Sequence, residues 1–293
     1  MNNIVLSIEK KILLFERKIR YNLKPLHIKV LGIEETIDYI LEHKSSVVRF
    51  GDGENKLING TSIGYQDYDP ELSKVLSDLI SSESNERFLV CVADVFDNYD
   101  RYNDDMKIYW YKHLIMNREM YKSIYTASWY GSAFISRPYM DLKDKRNSKR
   151  YFNKLRQIWQ DQDLLIVEGA LSRSGTGNDL FDNAKSVKRI ICPSKNAFSK
   201  VDVIQQEILK NASGKLILLM LGPTAKVLVK NLSDLGYQAI DIGHIDSEYE
   251  WFKMGATHKV KIPNKHTAEL DDGEVSVVED KKYQSEILAV IDD

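Results

Sequence analysis

The apolar positions of this chain change rhythm near residue 45. Ahead of that point Ile4, Ile8, Ile12, Phe15 and Ile19 recur at near-helical spacing, with Lys10, Lys11, Arg17, Lys18 and Arg20 elsewhere round the wheel. The pattern predicts a basic amphipathic helix over residues 4–21. Such a helix packs on the domain or on a second subunit, giving a homo-oligomer, or it makes a peripheral membrane contact; the pattern alone allows each. Beyond residue 45, short β-branched runs are each followed by a loop and then a helical period. Strands are expected at 46–50, 88–95, 123–127, 164–167, 189–192, 216–221 and 238–242. Helices are expected near 33–43, 70–82, 105–118, 149–160, 199–210, 223–234 and 247–254. This alternation predicts an α/β fold, a Rossmann-like, mostly parallel, doubly wound sheet flanked by helices. The expected organisation is an N-terminal helix over 1–30, the main domain over 31–258 and a charged, peripheral extension over 259–293.

Composition narrows the classes. With 293 residues, 43% of them apolar, the chain has enough material for a sizeable core, which excludes disordered and fibrous classes. Its 41 basic and 43 acidic side chains leave a net charge of −2, so no global basic field points to nucleic acid. Cys91 and Cys192 sit inside apolar runs and read as buried thiols, neither a disulfide framework nor a zinc site, which fits a reducing cytoplasm. The opening residues run quickly into Glu9, Lys10 and Lys11 and lack the apolar core of a signal peptide, and no window is apolar over a bilayer's thickness. The expected location is the cytoplasm, at the inner face of the membrane if the first helix binds lipid.

In doubly wound sheets ligands bind beyond the carboxyl ends of the strands, so the loops that follow strands carry the chemistry. The first such loop is Arg49-Phe50-Gly51-Asp52-Gly53-Glu54. Gly51 and Gly53 allow a tight turn and close approach to a ligand, and the carboxylates of Asp52 and Glu54 point the same way if the turn stays extended. Paired hard oxygens suit Mg²⁺ or Mn²⁺ together with substrate phosphates, which Arg49 would help to neutralise. A surface turn that caps a following helix explains the same residues without chemistry. The chain has four Asp-x-Glu triplets. Asp69-Pro70-Glu71 reads as a helix start, Asp272-Gly273-Glu274 as a solvated turn, and Asp246-Ser247-Glu248 again follows a strand.

Further loops repeat the theme. Residues 168–179 offer Gly175, Thr176 and Gly177 as exposed backbone donors, Asn178 or Asp179 as a helix cap and Arg173 as an anion contact, a phosphate cradle or simply a glycine-rich connection. The loop matches neither the P-loop nor the dinucleotide fingerprint. Lys195 and Asn196 follow the strand at 189–192, with Lys195 a phosphate clamp or a solvated lysine. Gly222, Pro223 and Thr224 open a helix after the strand at 216–221. His244, Asp246 and Glu248 follow the strand at 238–242 as ligand-type side chains, or as the cap and first turn of a helix. No Gly-x-Ser-x-Gly elbow or activated cysteine is present, so a covalent intermediate on the enzyme is not expected.

Taken in order, the segments 49–54, 175–181, 189–198, 221–225 and 241–251 resemble the bacterial GT-D glycosyltransferases, over roughly residues 30 to 260. The resemblance implies a Rossmann-like domain that binds a nucleoside-diphosphate sugar, usually a UDP-hexose such as UDP-glucose or UDP-galactose, with Mn²⁺ or Mg²⁺ near the Asp-x-Glu motif. It implies a glycan or glycopeptide acceptor belonging to a bacterial surface protein or polysaccharide. By carry-over Glu54 is the direct metal ligand and Asp52 a ligand or an organiser of the nucleotide or sugar. Loop position assigns nucleotide-sugar contacts to Arg49, Gly51, Gly53, Arg173, Gly177, Asn178, Asp179, Lys195, Asn196, Gly222, Thr224 and His244. Asp246 or Glu248 is the base if transfer inverts. Two rival readings stay open: a metal-dependent phosphoesterase, and a non-catalytic nucleotide-sugar-binding partner of another glycosyltransferase.

Overall fold

Side chains of a parallel sheet covered by helices must be apolar on both faces, and the strand runs of this chain satisfy that condition. The computed structural model describes residues 2–97, 99–267, 269, 270, 275 and 278–292, with side chains from residue 8 onward. In chain order the elements are α1 (Asn2–Asn22), α2 (Ile33–His43), β1 (Ser46–Phe50), α3 (Asp52–Ile58), α4 (Pro70–Ile80), β2 (Phe88–Val92), α5 (Asp104–Met116), α6 (Arg118–Ile124) and β3 (Gly131–Ser132). They continue as α7 (Ser148–Ile158), β4 (Asp163–Gly169), β5 (Ser186–Cys192), α8 (Val201–Asn211), β6 (Leu216–Met220), α9 (Gly222–Asp234), β7 (Ala239–Asp241), α10 (Ile245–Met254), α11 (Lys281–Glu286) and β8 (Ile287–Val290). Every residue of β1, β2, β6 and β7 is buried.

One parallel sheet results, in the order β3-β2-β1-β7-β6-β4-β5-β8. The chain winds one way from β1 to β3 and the other way from β4 to β5, and β6 and β7 then fill the middle. This doubly wound, helix-flanked α/β sheet matches the expected fold class. Its winding reversal puts the carboxyl ends of β1, β7 and β6 side by side, where such sheets form their crevice.

Three expectations need correction. The strand expected at 123–127 is instead the end of α6 followed by irregular chain, where Tyr121 and the C-cap residue Tyr125, four residues apart, are both buried. The actual third strand is Gly131–Ser132, and a Cβ at Gly131 would lie 2.6 Å from Cys91 Sγ, so only glycine lets β3 approach β2 so closely. Asp52 and Glu54 lie on α3, not on an extended turn. The tail expected to be peripheral supplies β8, the edge strand beside β5, and buries Tyr283. The turn at Asp272-Gly273-Glu274 lies outside the described residues.

Cys91 and Cys192 are buried free thiols, as the sequence predicts, and burial raises both above the ordinary thiol value, Cys192 to about 12. Among the described residues no helix is long and apolar enough to cross a membrane.

Candidate active site

The site begins where β1 runs out. Gly51 takes the cap position of α3, and its N–H donates to Glu54 Oε2 at 2.8 Å, so the third residue of the helix closes back on the cap. This fixes the Glu54 carboxylate at the strand end. Two residues apart on a helix means about 200° apart round its axis, so Asp52 and Glu54 face different partners. Asp52 Oδ2 accepts from Tyr109 Oη at 2.6 Å and Lys56 Nζ at 3.0 Å. Burial opposes its charged form, but these two donors outweigh it and hold the carboxyl below its ordinary value.

Glu54 instead points into a buried ionic cluster. Its Oε1 lies 2.7 Å from Lys226 Nζ, which also donates to Asp241 Oδ2 at 3.0 Å and to the Gly222 carbonyl at 3.1 Å. Asp241, the last residue of β7, is held on its other side by Arg49, whose Nη2 reaches Oδ1 at 2.8 Å and whose Nε reaches the Asp241 carbonyl at 2.7 Å. Arg49 also donates to Gly243 O at 3.0 Å and to Ser136 Oγ. Its guanidinium is therefore engaged with protein oxygens, and in this arrangement it orients β7 and the 243–244 turn. Burial works against an ionised Asp241, yet Arg49 and Lys226 together keep its pKa below the usual carboxylate value. Glu54 and Asp241 balance Arg49 and Lys226, which makes so dense a buried set tolerable.

Above this cluster lies a rim. The Tyr65 ring packs on Gly222, where a Cβ would sit 2.6 Å from Tyr65 Cε2, and Gly222 has the left-handed φ of 51° that a bulkier residue resists. The loop carrying Tyr65 is tied to Asn196, whose N–H donates to Tyr65 O at 3.0 Å and whose side chain exchanges two bonds with Asp67. Thr224 is fully buried at the start of α9, and its hydroxyl has no hydrogen-bond partner among the described residues. His244, at φ 73°, caps α10. Partial burial first, then Arg137, Arg49, Lys226 and Lys259, push its imidazole well below the ordinary value, so the ring is neutral. Arg137, Lys259 and His244 converge on the Glu269 carboxylate. Lys195 is exposed.

The structure thus brings together Arg49, Gly51, Glu54, Gly222, Thr224 and His244 and keeps other candidates apart. Gly177, Asn178 and Asp179 line a separate cavity whose other wall includes Arg189, Tyr283 and Glu286. Arg173 turns from solvent to donate to the carbonyls of Asn264 and Val278. Asp246 Oδ1 accepts from Gly175 N and Asn178 Nδ2, both at 2.8 Å, and its Oδ2 accepts from Lys265 at 2.8 Å. Glu248 Oε2 accepts from the backbone N–H groups of Tyr139 and Met140. Burial, reinforced by Asp141, raises Glu248 to about 7. Among the described residues no group of three histidine, cysteine or carboxylate side chains surrounds a metal position.

Asp241, Lys226 and Arg137 were not singled out by sequence reasoning. Asp241 carried one usable signal, a charge ending an otherwise apolar strand run at the site-bearing edge. Lys226 follows β6 at the start of α9 and looks like any helix lysine in sequence, and Arg137 reaches the crevice only through the folding of a distant segment.

Comparison with known proteins agrees with this architecture. A sequence profile of the family described as "Glycosyltransferase GT-D fold" matches residues 47–270. The chain is 57% identical over 263 residues to "Probable glycosyl transferase Gly" of Streptococcus gordonii, covering 89% of this chain and 39% of that protein. It is 55% identical over 270 residues to "Glycosyltransferase GlyD" of Streptococcus pneumoniae serotype 4, covering 92% of this chain and 33% of the relative. The chain therefore spans well under half the length of these curated relatives. A solved structure described as a new glycosyltransferase (DUF1792) from Streptococcus sanguinis superposes with a TM-score of 0.89 at 57% identity, covering 91% of this chain and 100% of that one. Another, described as the domain of unknown function 1792 with a distinct glycosyltransferase fold, gives 0.89 at 51% identity over 97% of this chain and 100% of its own.

Proposed function

Because the chain belongs to the GT-D family of glycosyltransferases, we propose that it moves a hexose, glucose or galactose, from a UDP-sugar to a glycan acceptor of a bacterial surface glycoprotein or polysaccharide. The observation that carries this reading is the meeting of Glu54 with Lys226, Asp241 and Arg49 at the carboxyl ends of β1, β6 and β7, the crevice in which such sheets take nucleotides. Three cationic or neutral-ring groups beside it, Arg137, Lys259 and His244, already gather one carboxylate, that of Glu269, and a diphosphate offers the same kind of charge.

The donor set also suits a divalent ion. Glu54 presents a hard carboxylate oxygen to a cation, now the Lys226 ammonium, and Mg²⁺ or Mn²⁺ commonly binds through one or two carboxylates with phosphates completing the shell. Glu54 would hold the ion, with Asp52 on the far side of α3 organising the rim through Tyr109. Bound there, the ion would neutralise charge on the departing diphosphate.

The chain's own groups do the rest. Lys226 supplies a fixed positive charge at the leaving-group end, with little reorganisation because Asp241 and the Gly222 carbonyl hold it. Tyr65 offers a half-exposed ring over Gly222 as an aromatic face for base or sugar, and the buried Thr224 hydroxyl gives an unspent polar group at the start of α9. We assign Asp246 to positioning the 175–178 loop, since both its oxygens already accept bonds.

The test is transfer of radiolabelled hexose from UDP-glucose or UDP-galactose, with Mn²⁺, to a bacterial glycopeptide acceptor. Glu54→Ala and Glu54→Gln should each reduce transfer by about 100-fold or more, the scale on which one preorganised electrostatic group acts. Undiminished turnover by both variants would remove Glu54 from the reaction. Release of free phosphate or nucleotide with no labelled acceptor would favour phosphoester hydrolysis.

A further inference from the structure

Helix α1 carries two apolar faces, and only one is used. Towards α5 it buries Tyr21 and packs Leu14, while Arg17 donates to the Ile108 carbonyl at 2.7 Å and Lys10 pairs with Asp105 at 2.6 Å. On the opposite side Ile8, Ile12, Phe15 and Ile19 stand between 45% and 67% exposed, a row of large side chains facing solvent. Scattered exposed apolar residues are ordinary, but a continuous row on one helix face is an interaction surface.

The spacing of that row identifies its occupant. Steps of four, three and four residues from Ile8 to Ile19 are a heptad seam, with Ile12 and Ile19 at the a positions and Ile8 and Phe15 at the d positions. Glu9 and Glu16 then occupy e, and Lys11 and Lys18 occupy g. In a parallel pair a g residue faces the e residue five positions on in the other helix, which sets Lys11 against Glu16 of a second copy twice over by symmetry. An antiparallel pair would set lysine against lysine and glutamate against glutamate. An anionic bilayer would meet Glu9 and Glu16 along one border of the seam. Lys11 and Glu16 are both exposed, and among the described residues neither has an ion-pair partner within this chain. We propose that α1 pairs in parallel with α1 of a second copy of this chain, through the Ile8–Ile12–Phe15–Ile19 seam. The seam points away from α5, the element α1 packs on. Packing on α5 has already formed the helix, which removes the nucleation cost that makes short isolated helices marginal.

Sedimentation equilibrium of the full chain over a concentration series tests this. The expected result is a dimer that Phe15→Glu converts to monomer, with near-ultraviolet circular dichroism unchanged because Phe15 is outside the core. Lys11→Glu should weaken dimerisation at least tenfold, and adding Glu16→Lys to that variant should restore it. Oxidised Ile12→Cys should form a disulfide joining position 12 of one chain to position 12 of the other, since Cys91 and Cys192 are buried and do not compete. A monomer at every concentration, a dimer indifferent to Phe15→Glu, or a dimer that Ile12→Cys fails to link would overturn the proposal. So would a monomer that floats with phosphatidylglycerol vesicles and loses that property in Phe15→Glu.

Discussion

Lys226 Nζ lies 2.7 Å from Glu54 Oε1, joining the start of α9 to the start of α3 across the carboxyl end of the sheet. The two side chains are about 5% and 8% exposed, so the pair is desolvated and each partner depends on the other.

Removing the ammonium should therefore be costly. Lys226→Met is expected to destabilise the fold by about 3–5 kcal/mol, the range for breaking one side of a buried ion pair. Adding Glu54→Gln should return part of that loss, because a neutral amide needs no counter-charge. Urea unfolding of the two single variants and the double variant measures the coupling. Strict additivity would show that the pair contributes nothing jointly.

The Gly222–Tyr65 contact predicts a second effect. Gly222→Ala places a methyl where the Tyr65 ring stands and adds a side chain at positive φ, so about 1–3 kcal/mol of stability should go. Binding of UDP, read by calorimetry, should weaken along with it. Tyr65→Ala in the Gly222→Ala background should recover stability and not binding, which separates the clash from the lost aromatic face.

Two carboxyls give opposite dependences on pH. Asp241 is held below its ordinary value of 3.8, so its contribution is present above that pH and disappears as pH falls through the lower folded-state value. Glu248 is raised from 4.5 to about 7, so the folded state binds the extra proton and stability declines as pH rises across that interval. Glu248→Gln keeps an acceptor for the Tyr139 and Met140 N–H groups and removes the titration. Denaturation midpoints measured from pH 4 to pH 8 should show the variant gaining on the parent chain with rising pH, by of order 1–3 kcal/mol at the top. A constant difference would contradict this.

At the carboxyl end of β4, Glu168 is fully buried and accepts from Arg189 at 2.6 Å, from Ser174 N at 2.7 Å and from Tyr283 Oη at 3.3 Å. Glu168→Ala leaves the Arg189 guanidinium short of a counter-ion and frees the 174–178 loop and α11 together. The expected cost is about 3–5 kcal/mol, with faster proteolysis near residues 173–178 and 278–283. Mass spectrometry of limited digests would detect both sites, and cleavage at only one would break the proposed link.

Much of the fold was legible because strand burial and helix period are local properties of the sequence. The run at 216–220 is apolar throughout and that at 46–50 is β-branched and aromatic around Arg49, and Pro70 and Pro223 mark helix starts that the structure contains. The strand expected at 123–127 took the β-forming Ile124, Tyr125 and Thr126 at the end of α6 for a strand. The site was legible only as a set of loops. Local sequence placed Glu54 at a strand end, but not its rotation away from Asp52, which depends on α3 beginning one residue after Gly51. Lys226 and Arg137 are ordinary cations in sequence and acquire their surroundings only from tertiary contacts.

The pairing of β1 with β7 also bears on how the molecule assembles. Val47 stands opposite Ile240, and Arg49 meets Asp241, 192 positions away in the chain, so the central join of the sheet is one of its longest-range contacts. Closing so large a loop costs chain entropy and is expected to be slow. Before that moment the halves are two sticky open edges, a state in which aggregation competes with maturation. Catalytic competence should thus arrive last, as the signature that both halves have found each other.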